Sequence, residues 1–271
     1  MGFPVFEYLV AGVISLGIGI VAAVIGLGGG FFYVPTLTLL FNLDLNTAMG
    51  TSLAVMIFSS FAATFWYCRQ GKILYKVALI LIPPAVLFSV IGSAIAHYID
   101  ARILLAVFTC LLILISLEML IPAFRFLVEI RCGPSFVLSA AVPYQGIQPI
   151  TRIPYSHLLF WGAAGGLVSG LTGTSGGAIF VPALATIGVP LHYAVATSMF
   201  TVIPTVLAGT VSHAAFGQIS LPFVIVYGIG AVIGGSLGTV VAARANEAQV
   251  RHIFGVLMLL MALLTICGQV L

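Results

Sequence analysis

Of 271 residues, 62% are hydrophobic and only 6% are charged, which leaves too little polar surface for a water-soluble domain of this length. The net charge of +3 rests on nine Lys and Arg placed singly or in loose groups, which argues against nucleic acid as a partner. The chain reads as an all-α, multi-pass protein of the plasma membrane with the lipid bilayer as its surroundings.

In chain order, the first apolar segment runs from Val5 to Ile25. It carries Glu7, lacks a basic leader and has no credible cleavage site, so it reads as a span of the mature fold, not as a signal peptide. A glycine-rich break follows, then a short segment from Phe31 to Phe41 and three long ones: Thr47 to Tyr67, Val77 to Tyr98 and Ile103 to Ile121. Pro122 to Tyr155 contains five prolines and reads as a linker, with a short amphipathic piece near Phe136 to Val142. The second half repeats the order with Leu158 to Leu171, short Ala178 to Ile187, Tyr193 to Ala214, Pro222 to Ala243 and Val250 to Val270. About 20 helical residues cross a hydrocarbon core, so an eleven-residue segment of roughly 16 Å spans about half of it. Each half is expected to hold four long helices and one half-helix, over residues 1–121 and 156–271, joined by linker 122–155.

The halves are copies. Gly26 to Pro35 reads GLGGGFFYVP and, 147 positions on, Gly173 to Pro182 reads GTSGGAIFVP. At an offset of 146, AMGTS (Ala48 to Ser52) matches AVATS (Ala194 to Ser198), and GKI (Gly71 to Ile73) matches GQI (Gly217 to Ile219). If the short segments change the chain's side, each half crosses five times and the second is inverted. Eight of the nine basic residues then share one side, with Arg102 alone on the other. The positive-inside rule favours this reading over parallel halves, placing both termini outside and the linker in the cytoplasm.

Backbone broken by Gly28, Gly29 and Gly30, or by Gly176 and Gly177, is tolerated in a membrane only where it lines a cavity or meets a ligand. A half-helix starting just after such a break offers amide groups and a positive dipole end to an anion. The other reading, close helix packing, suits Gly162 with Gly166 and Gly234 with Gly238. Hydroxyls of Thr51, Ser52, Thr174, Ser175, Thr197 and Ser198 can donate to an oxyanion, or can bond back to their own helices. Arg69 and Lys72 at a cytoplasmic mouth can attract anions, or can satisfy the positive-inside rule with no further role, and His213, opposite Tyr67 in the repeat, can act in a gate. Glu118 reads as a proton-coupling acid or an interfacial carboxylate. His97, His157, His192 and His252 read as interfacial. Cys68, Cys110, Cys132 and Cys267 show no metal-binding or disulfide spacing. No catalytic residue, metal or cofactor is expected, and no nucleotide-binding motif is present.

An enzymatic alternative starts from Thr174-Ser175-Gly176, which with Gly173 contains the GxSG string of intramembrane serine proteases, and takes His213 as base. The copy has Gly28 at the serine position while the glycines and proline persist, so what the repeat is expected to keep is backbone shape and not a nucleophile. A passive anion channel is the other alternative.

The paired motifs, GLGGGFFYVP with AMGTS and GTSGGAIFVP with AVATS, followed by GKI and GQI, resemble the TauE/SafE family of sulfite exporters. The likeness covers the chain apart from Pro122 to Tyr155. It implies a plasma-membrane carrier for sulfite, sulfoacetate or another small sulfur-containing anion, driven by a proton or anion gradient and compatible with a homo-oligomer. The paired cysteines of related thiosulfate importers are missing. The anion is expected between the halves, on amides after Gly30 and Gly177 and on the hydroxyls of Thr51, Ser52, Thr197 and Ser198.

Overall fold

A computed structural model describes residues 5–120, 137–138, 153–187 and 189–244, with parts of 252–266. Its helices are α1 (Val5–Ile25), α2 (Gly30–Leu39), α3 (Leu45–Arg69), α4 (Tyr75–Tyr98), α5 (Ala101–Leu120), α6 (Tyr155–Thr172), α7 (Gly177–Thr186), α8 (Leu191–Ala215) and α9 (Leu221–Arg244). A shorter apolar helix, Gly255–Ile266, follows. In the linker, β1 (Val137–Leu138) pairs antiparallel with β2 (Ile153–Pro154). The expected amphipathic piece therefore falls on two strand residues, and the rest of it lies outside the described residues.

Each half-helix appears where the glycine break predicts it. Both α2 and α7 are ten residues long, about 15 Å at the rise of an α-helix. Among the described residues, five helices are long and apolar enough to cross a membrane: α1, α3, α4, α8 and α9. The sequence reading expects eight long spans. Glycine, serine and histidine dilute the apolar character of the 18-residue α6, and only parts of α5 and of the last helix combine length with full description.

The halves are interlocked, not side by side. Each half's first helix packs on the fourth helix of the other, α1 on α9 and α6 on α4. A Cβ on Gly19 would lie 3.0 Å from the Ala231 carbonyl oxygen, and its repeat equivalent Gly166 abuts the Ala85 carbonyl. Likewise Gly238 abuts the Ile20 carbonyl, and a Cβ on its equivalent Gly92 would be 2.5 Å from the Leu167 carbonyl. These backbone-to-backbone approaches replace hydrophobic burial, which gives little between helices already in lipid.

The third helix of each half lies beside its own copy. The Ser220 amide, just past the end of α8, donates to Thr51 Oγ1 near the start of α3 at 2.9 Å. The Leu74 amide, just past the end of α3, donates to Thr197 Oγ1 near the start of α8 at 3.0 Å. Helices α3 and α8 therefore run antiparallel. Asp44 caps α3 by accepting from the Thr47 amide at 3.0 Å. Asp44→Ala is expected to lower stability by about 1 kcal/mol, with Asp44→Asn retaining most of it, as read from reversible unfolding in mixed micelles.

Candidate functional site

Helix α2 begins at a break in which Gly26, Gly28 and Gly29 have φ of 84°, 69° and 98°, a region costly for residues with a Cβ. In the second copy only Gly173, at 66°, is left-handed, while Gly176 is right-handed at φ −62°. The two breaks therefore follow different backbone paths, which is why Ser175 is tolerated at the position equivalent to Gly28. This revises the expectation, drawn from the repeat, of one preserved backbone shape. What is shared is the start of the half-helix. Phe32 and Tyr33 amides donate to the Gly29 carbonyl, and the equivalent Ile179 and Phe180 amides donate to that of Gly176. The amides preceding these have no acceptor within their own helix.

The two breaks cross. A Cβ on Gly30 would be 2.6 Å from Thr174 Cα, and one on Gly177 would be 2.5 Å from the Gly26 carbonyl oxygen and 3.0 Å from Leu27 Cα. Gly28 faces Ser175, whose Cβ would be 3.1 Å from an added methyl. Both half-helices thus begin at one point, and all ten break residues are buried. Gly29 does not face the other half. Its missing side chain makes room for Tyr33, Ile18 and Ala22.

Hydroxyls stitch the crossing shut. Ser198 Oγ donates to the Gly26 carbonyl at 3.0 Å, Ser175 Oγ to that of Leu27, and Ser59 Oγ to that of Gly28 at 2.9 Å. Thr174 Oγ1 shares a hydrogen bond with Thr172 Oγ1 at 2.7 Å. Thr51 and Thr197 accept the loop amides described above. Of the six hydroxyls expected at the site, only that of Ser52 is buried without a hydrogen bond.

The remaining site residues lie apart from the crossing. Arg69 is exposed on the outer face of α3, its guanidinium 4.5 Å from the Phe65 ring centre and 5.8 Å from that of Trp66. Lys72 is half-buried in the loop after α3. His213 is fully buried. Its Nδ1 bonds to Gln218 Oε1 at 2.8 Å, and Gln218 Nε2 reaches His97 Nδ1 at 2.9 Å. His97 stacks on Phe216 with centroids 4.1 Å apart. At the equivalent end of the first half, Tyr67 donates to the Ala23 carbonyl at 2.8 Å. The glutamine that replaces Lys72 in the copied loop is thus a bridge between two histidines. The sequence reading missed this bridge, whose signal in the sequence is the replacement of Lys72 by Gln218 five residues after His213. It also missed His157, expected at an interface but buried, with Nε2 3.2 Å from the Ala183 carbonyl of α7. The Glu118 side chain lies outside the described residues, and no cluster that could hold a metal occurs among those described.

The model of the family described as sulfite exporter TauE/SafE matches residues 11–265. YunE of Bacillus subtilis, named a probable membrane transporter protein, is 30% identical over 94% of this chain and 95% of its own. YdhB of the same organism, similarly named, is 27% identical over 82% of this chain and 84% of its own. A probable membrane transporter protein of Methanocaldococcus jannaschii is 24% identical over 91% of this chain and 92% of its own. No solved structure matches. A chain of interlocked halves with broken helices meeting at its centre, matched almost end to end by that model, belongs to the TauE/SafE family of membrane transporters.

Proposed function

We propose that the protein exports sulfite, a small organosulfonate or another sulfur-containing anion by alternating access, as a secondary transporter. The observation that carries this is the meeting of two half-helix N-termini at one buried point. Two positive dipole ends and the amides that cannot bond within α2 and α7 form a seat for an anion without a fixed cation. In this conformation the seat is sealed from both sides, so access requires the halves to part. The antiparallel placement of α3 and α8 supports inverted repeats over 1–121 and 156–271, and the basic residues then put the linker in the cytoplasm and the termini outside. Arg69, spread over outer aromatic rings, then serves as an interfacial anchor, and Lys72 is the cation left to attract anions at that mouth.

Proteolysis finds little support. The Ser175 hydroxyl is engaged with a carbonyl and His213 Nδ1 with Gln218, so neither is poised as a nucleophile and base.

Flux into proteoliposomes tests the proposal, with sulfite, sulfoacetate, taurine, sulfate and thiosulfate compared with and without a pH gradient. Saturable, gradient-dependent movement of sulfite or sulfoacetate is expected, with zwitterionic taurine rejected. Unsaturable flux that ignores the gradient would make the protein a channel, and absence of anion flux would remove the seat.

A further inference from the structure

Helix α3 carries a line of buried hydroxyls that the crossing does not use. Ser52, Ser60 and Thr64 are 0%, 0% and 9% exposed, and none of their hydroxyls makes a hydrogen bond. With Met56 they fall at four-residue intervals, one stripe along the helix. The stripe faces the crossing, because Met56 Sδ would be 3.3 Å from a Cβ on Gly28 and 2.9 Å from one on Gly30. A hydroxyl in a membrane helix ordinarily bonds to the carbonyl one turn back. Thr201, Thr205 and Thr210 on α8 do so. Buried donors that forgo this bond are costly unless something else takes their hydrogens.

The second copy has no such stripe. The positions equivalent to Ser52, Met56, Ser60 and Thr64 are Ser198, Val202, Val206 and Thr210. Ser198 is held by the Gly26 carbonyl, and Thr210 bonds back to Val206. On α3 and α8, the described line of unsatisfied hydroxyls therefore leads from the crossing toward the end where Tyr67 is buried one turn beyond Thr64 and Lys72 follows in the loop. At the opposite end the His97, Gln218 and His213 bridge closes the equivalent place.

We propose that Ser52, Ser60 and Thr64 form the half-pathway along which a small oxyanion moves between the Lys72 end of α3 and the glycine crossing. This deepens the transporter reading and rests on it. Neutral donors suit passage, since they solvate an oxyanion in steps and hold it too weakly to trap it. Tyr67 closes the path in the present conformation.

Thiol labelling tests the path without any assumption about the natural substrate. In a variant with its own cysteines replaced, Ser60→Cys, Thr64→Cys and the control Val206→Cys are exposed in sealed vesicles to an anionic methanethiosulfonate. Labelling from the Lys72 end is expected at Ser60→Cys and Thr64→Cys, at least about tenfold faster than at Val206→Cys. In parallel, Ser60→Ala with Thr64→Val should lower sulfite flux about tenfold while leaving thermal stability equal or higher, because no hydrogen bond is broken. Labelling no faster than the control, labelling only from the Gln218 end, or unchanged flux in the double variant overturns the path. Labelling without sulfite flux in the parent protein would instead fault the choice of anion.

Discussion

Gly166→Ala is expected to remove most of the folded protein from the membrane, although alanine is the better helix former. The propensity gain is about 1 kcal/mol at most. Against it stands a methyl group driven onto the Ala85 carbonyl and 2.7 Å from Ala85 Cα. Backbone has no rotamer to turn, so α4 and α6 must move apart along their whole contact. Gly162 and Gly170 sit on the same seam, with Gly162 meeting the Leu81 carbonyl at 2.8 Å and Gly170 meeting Ser89 and Ser93. Overpacking a tight contact costs roughly 1–3 kcal/mol. The monodisperse fraction after detergent extraction should fall about tenfold or more. Gly17→Ala on α1, where an added methyl meets nothing within 4 Å, should leave it unchanged. Gly19→Ala, at 3.0 Å from the Ala231 carbonyl, should fall between them. Equal recovery of all three would mean that the glycines of the two seams are not what holds the halves together.

The same seams show how far the sequence could be read. The doubled glycine motif located both half-helices to within a residue or two, because a break and a shortened apolar run are local properties. The spacing of Gly162 with Gly166 and of Gly234 with Gly238 correctly indicated close packing. Which helix each would meet was not legible, since lipid-facing and protein-facing apolar surfaces look alike in composition. The exchange of first and fourth helices between halves is set by small residues that meet across α1 and α9 and across α4 and α6, far apart in the chain, and no hydropathy pattern records it. Thr51 and Thr197 stand out because they are repeated. Their partners are backbone amides of the opposite half's loop, contacts between segments more than a hundred residues apart. Ser60 has Val206 at its equivalent position, and Thr64, although matched by Thr210, lies outside the repeated strings. Isolated hydroxyls in a membrane helix usually bond to their own backbone, and only the packed structure shows that these do not.

Gly30→Ala and Gly177→Ala are expected to stop transport while leaving the protein in the membrane, a different outcome from that of the seams. Neither residue has a left-handed φ among the described residues, so alanine is not strained in its own conformation. The obstacle is the other half: Thr174 Cα at 2.6 Å from the added methyl of residue 30, and the Gly26 carbonyl at 2.5 Å from that of residue 177. Met56, which also crowds Gly30 at 2.9 Å, can swing aside as a flexible side chain. The breaks cannot, because Ser198, Ser175 and Ser59 hold three successive carbonyls of the first break in place. A wedge of roughly 1–3 kcal/mol at the crossing would disfavour the sealed conformation and displace the amides from an anion, lowering flux about tenfold to hundredfold. The contact is one point between half-helices and not a seam along two spans, so insertion should persist. Gly29→Ala separates the two effects: its φ of 98° and the Tyr33 ring 2.7 Å from the added methyl should reduce the amount of folded protein. Flux per folded molecule, measured on the same vesicles for all three variants, decides the matter. Wild-type flux in Gly30→Ala and Gly177→Ala together would place the anion somewhere other than the point where the two breaks meet.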